Sequence, residues 1–103
     1  METQNPTFTT NRWTVEITVP GQTDKQGTRN DGDEPTVSFY DNEQDPERFT
    51  PLGQFVSRFY IGTLADRDSS YGLDLDMGIP EWRVQPGDFT RIQVWINDFL
   101  ASY

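Results

Sequence analysis

Phe49-Thr50-Pro51-Leu52-Gly53-Gln54-Phe55-Val56-Ser57-Arg58-Phe59-Tyr60-Ile61-Gly62-Thr63-Leu64-Ala65 is the densest run of large apolar side chains in a very polar chain, and its reading decides the fold. Leu52, Phe55, Val56, Phe59, Tyr60 and Leu64 recur at i, i+3, i+4 spacing, which gathers them on one face of a helix. Thr50 supplies an N-cap, and Pro51 takes the first helical position, where its missing N–H costs nothing. The spacing therefore predicts a central helix, with Ser57 and Arg58 on its solvated side. The competing reading is a strand. Phe, Val, Tyr and Ile favour extended backbone, and a glycine such as Gly62 costs about 1 kcal/mol inside a helix.

Upstream, Trp13, Val15, Ile17 and Val19 alternate with Thr14, Glu16 and Thr18, a half-buried strand ended by Pro20-Gly21. Thr36-Val37-Ser38-Phe39-Tyr40 is a second strand, and an antiparallel pair is the simplest arrangement. Between them, residues 22–35 hold no large apolar side chain and read as a long mobile loop, a length that admits function. Residues 1–11, polar apart from Phe8, read as a frayed end. Asp41 to Arg48 is a polar connection. Downstream, Leu73, Leu75 and Met77 alternate with Asp74 and Asp76, so residues 71–77 are expected to form a third strand. From near Pro86 the pattern turns helical, with Phe89, Ile92, Ile96, Phe99 and Leu100 on one face.

The expectation is a single α+β domain over residues 1–103: a small antiparallel sheet of about three to four strands with two helices packed on one face. Its predicted core joins Leu52, Phe55, Phe59, Leu64, Leu73, Leu75, Ile92, Ile96 and Phe99 with Val15, Ile17, Val37 and Phe39.

Seventeen acids against eight bases give a net charge of −9, and Lys25 is the only lysine. That balance argues against direct contact with nucleic acid or an anionic membrane, because phosphate attraction needs a basic patch. It favours a basic partner, or simply solubility. No cysteine and no histidine are present, which removes disulfides, Ser-His-Asp and Cys-His chemistry and the commonest zinc sites. Neither a Walker loop nor a dinucleotide fingerprint occurs. Carboxylate chemistry remains, but among 17 acids some pair always lies close by chance, so the reading is non-enzymatic and without cofactor. Asp-x-Asp pairs at 31/33, 66/68 and 74/76 raise calcium. From Asp66, however, the sixth residue is Tyr71 rather than Gly and the twelfth is Met77 rather than Glu. Met1 to Pro6 lacks the basic and apolar regions of an export signal, and no apolar run could span a bilayer, so a cytoplasmic protein is expected.

The candidate binding residues are Asp31, Asp33, Glu34, Asp41, Glu43, Asp45 and Glu47, a run of acids with no base between residues 31 and 47. The bland reading is a solvated rim. The sharper one is a surface that imitates DNA phosphates and blocks the groove of a basic, nucleic-acid-binding protein, with Asp66, Asp68, Asp74 and Asp76 as additions. The alternative is a structural or assembly protein that uses exposed aromatics, its acidity serving only solubility, and a homodimer remains open.

Phe39-Tyr40-Asp41, Gln44-Asp45-Pro46, Pro51 to Ser57 with Phe59-Tyr60, Gly72-Leu73 and Gly78-Ile79-Pro80-Glu81-Trp82 carry a resemblance. Over roughly residues 37–100 the chain resembles small uncharacterised acidic proteins of bacterial phages and mobile elements. The resemblance implies an accessory or counter-defence role, of the anti-CRISPR or anti-restriction kind, and assigns no residue.

Overall fold

The computed structural model describes residues 5–42, 55–74 and 83–103. Among them β1 (Thr7–Thr9), β2 (Trp13–Thr18), β3 (Thr36–Asp41) and β4 (Phe55–Tyr60) form an antiparallel sheet in the order β1-β2-β3-β4. After β4 come α1 (Ile61–Ala65), a 3-10 turn (Ser69–Tyr71), β5 (Leu73–Asp74), β6 (Arg83–Val84) and α2 (Pro86–Ser102). The fold is α+β, as expected.

Register sorts the side chains. Val15 lies opposite Phe39 and Ile17 opposite Val37, while Phe59 lies opposite Val37 on the other side. This apolar face, with Trp13, shares one buried cluster with Ile61 and Leu64 of α1, Leu73, Val84, and Phe89, Ile92 and Ile96 of α2. Phe59 and Phe99 pack against that cluster part-buried. Leu52, Leu75 and the side chain of Phe55, also expected in the core, lie outside the described residues.

α2 starts as its sequence dictates, with Pro86 in the first turn and Asp88 near the positive end of the helix dipole. Gly72 closes the turn into β5 at φ +70; a Cβ there would stand 2.6 Å from the Val84 carbonyl oxygen, so only glycine fits.

Three expectations are corrected. The central helix is a strand, β4, followed by only five helical residues; its first residues, 49–54, lie outside the described set. Phe55 and Phe59 sit four apart, which satisfies both the helical and the extended period, and pairing with β3 settles the choice. Tyr60 then points away from Phe59 and is 58% exposed. Second, residues 1–11 are not wholly frayed: Thr7–Thr9 pair with β2, and Phe8 stacks on Trp95 at 5.6 Å between ring centroids. Third, Leu73 and Asp74 pair with Arg83 and Val84 in a separate two-stranded sheet instead of extending the main one, and residues 75–77 lie outside the described set. Residues 22–35, expected as a mobile loop, carry side-chain hydrogen bonds from Asp24 and Asn30.

Candidate binding site

The second face of the sheet carries Thr14, Glu16 and Thr18 from β2, Thr36, Ser38 and Tyr40 from β3, and Arg58 and Tyr60 from β4. Alternation alone makes this the solvated side, yet Glu16, Thr18, Ser38 and Tyr40 are all buried. The loop between β2 and β3 covers them.

A buried carboxylate is stable only with donors around it. Glu16 receives the Tyr40 hydroxyl at 2.8 Å, the Asn5 side-chain amide at 2.8 Å and the Lys25 backbone N–H at 3.2 Å. The Lys25 ammonium lies 5.8 Å from the centre of the Tyr40 ring. Burial, and then the hydrogen bond to Glu16, push the Tyr40 hydroxyl far above its ordinary pKa.

Asp24 organises the loop. Its Oδ1 accepts the backbone N–H groups of Gln26 at 2.9 Å and Thr28 at 3.0 Å, and its Oδ2 takes the guanidinium of Arg58 on β4. Gly27, at φ +82, permits the tight turn that brings those N–H groups round. Asn30 does the same for the next turn. Its amide nitrogen donates to the carbonyls of Thr18 at 2.8 Å and Glu34 at 3.0 Å, while its Oδ1 accepts the Gly32 N–H at 2.9 Å.

Between this loop and the start of α1 opens a cleft of about 520 Å3. Thr36, Arg58 and Tyr60 contribute from the sheet, Asp24 and Thr28 to Gly32 from the loop, and Thr63 from α1. Arg29 and Asp31 meet at its rim at 3.1 Å, both largely exposed.

The acids expected to bind divide into three groups. Asp31, Asp33 and Glu34 are exposed on the turn that Asn30 braces. Asp41 is 2% exposed and held by Arg12 at 3.1 Å, so it is structural rather than presented to a partner. Glu43, Asp45 and Glu47 lie outside the described residues, as does Asp76. Asp66 and Asp68 are exposed. Asp68 accepts both the backbone N–H and the hydroxyl of Ser70, which hold its carboxyl below the usual range.

Sequence reasoning missed Glu16, Asp24, Asn30, Arg58 and Tyr60. The usable signal was turn chemistry, Asp24 to Gly27 and Asn30-Asp31-Gly32, inside a segment too long to be left structureless in so small a domain. Among the described residues no group of three or more His, Cys, Asp or Glu could hold a metal ion, and no helix is long and apolar enough to cross a membrane. No family model matches this chain, and neither does any curated protein or solved structure.

Proposed function

We propose that this protein is a non-enzymatic binding module that engages a basic partner through the Asp31–Glu34 turn. The carrying observation is that these three exposed acids stand on backbone fixed from beneath by the buried Asn30. Carboxylates on a braced turn lose less conformational freedom on binding than carboxylates on a loose rim. A net charge of −9 adds long-range attraction toward cations, which speeds encounter. Asp66 and Asp68 extend the acidic surface, whereas Asp41 belongs to the scaffold. The partner is a cytoplasmic nucleic-acid-binding protein whose phosphate-binding groove the acids occupy. In the setting implied by the resemblance to phage and mobile-element proteins, it belongs to a host defence system.

Displacement tests this reading. Added protein should release a basic protein of the native host from duplex-DNA beads, and the effect should weaken steeply between about 50 and 200 mM salt. The triple variant Asp31→Asn, Asp33→Asn, Glu34→Gln should lose that effect while its stability stays within about 0.5 kcal/mol of wild type per site. Release that ignores salt and survives the three substitutions refutes phosphate mimicry.

A further inference from the structure

On the reading that the partner is basic, we propose that the cleft beside Tyr60 seats one arginine side chain of that partner. The cleft offers what a guanidinium needs. Tyr60 lines it with a ring that is 58% exposed, a face on which a planar cation stacks. Asp31 lines it with a carboxylate, and the chain's own Arg29 already holds a guanidinium there at 3.1 Å. That pair is solvent-exposed on both sides, so it is weak and exchangeable. An incoming arginine displaces Arg29 from Asp31, and the Arg29 guanidinium, 66% exposed already, returns to water. Glu34 does not line the cleft, but its carboxylate stands 3.8 Å from where a Cβ on Gly62 would lie, one residue before Thr63 of the cleft wall.

An anionic ligand is the competing occupant, because Arg29 and Arg58 also line the cleft. Arg58 is held by the buried carboxylate of Asp24, however, and the field of a chain at −9 repels anions. Lysine is the other competitor. Its ammonium is a compact, strongly hydrated charge that neither stacks flat nor forks onto a carboxylate as a guanidinium does.

The experiment is a titration of the isotope-labelled protein with two short glycine-spaced peptides, one of arginines and one of lysines, followed by backbone amide shifts at low salt. The arginine peptide should shift residues 28–36 and 58–63 and bind about threefold to tenfold tighter than the lysine peptide. Tyr60→Ala and Asp31→Asn should each weaken the arginine peptide by about threefold or more, and Tyr60→Phe should not. Shifts confined to other surfaces, equal affinity for the two peptides, or occupation of the cleft by phosphate or acetate would overturn the arginine seat and leave the basic-partner reading standing. Failure of both peptides to bind would overturn both.

Discussion

Replacing Asp24 with alanine tests whether the loop over the sheet is part of the folded structure or merely drapes it. Asp24 is 6% exposed, and its carboxylate carries two backbone N–H groups and the Arg58 guanidinium. Removing it leaves Arg58, whose side chain is 30% exposed, without that partner. A lost hydrogen bond to a charged group costs about 1.5–3 kcal/mol, and water reaching the partly exposed guanidinium keeps the loss toward the lower end. The N–H groups of Gln26 and Thr28 can also rehydrate, adding about 0.5 kcal/mol each. The expected loss is about 3 kcal/mol, a large share of the 5–15 kcal/mol typical of a domain. In urea that lowers the midpoint by about 2 M, for a slope near 1.5 kcal/mol/M. Asp24→Asn keeps the Oδ1 acceptor and should lose about half as much. In amide exchange the wild-type N–H groups of residues 26–32 should be protected, and in Asp24→Ala they should open. An Asp24→Ala midpoint no lower than that of the exposed control Asp31→Asn, or unprotected wild-type amides across this loop, would refute the reasoning.

Gly72→Ala should destabilise by more than about 2 kcal/mol, since the left-handed backbone and the 2.6 Å approach to a carbonyl of β6 both resist a Cβ; an unchanged melting temperature would contradict that geometry. Tyr40 sets an alkaline limit. Its folded pKa lies above its unfolded value, so its contribution is complete below about pH 10, where both states keep the proton, and is lost above it as only the unfolded chain releases one. Stability should then fall by up to about 1.4 kcal/mol per pH unit above pH 10, and Tyr40→Phe should remove that part of the slope; equal slopes for the two proteins would show that Tyr40 is not responsible.

The parts legible in the sequence are those where apolar periodicity has one interpretation. The period-2 runs of Trp13 to Ile17 and Val37 to Phe39 gave β2 and β3, and the 3.6-residue stripe from Phe89 to Phe99 gave α2. In β4 the pattern was degenerate, because residues four apart share a face in both geometries, and the Thr50-Pro51 start signal tipped the balance toward helix. The candidate site was legible only at its exposed acids. Asp41 looked like Asp31 in the sequence, but Arg12, remote along the chain, makes it scaffold. The layer under the loop was illegible because an argument built on apolar burial reads Glu16 and Asp24 as solvated, and only their donors, brought from Asn5, Tyr40 and Arg58, make burial tolerable.

The sheet is therefore covered by hydrocarbon on one side and by amides, hydroxyls and charges on the other, and heat senses the difference. Exposing apolar surface raises the heat capacity of unfolding by about 0.45 cal/mol/K per Å2, whereas exposing polar surface lowers it by about 0.26. With Glu16, Thr18, Asp24, Asn30 and Ser38 released alongside Val15, Ile17, Val37 and Phe39, the two contributions oppose each other. Calorimetry should thus find an increment below the usual 12–15 cal/mol/K per residue, roughly, with a flat stability curve and cold denaturation displaced far below freezing. A protein so built keeps nearly the same margin of stability on a cold day as on a warm one.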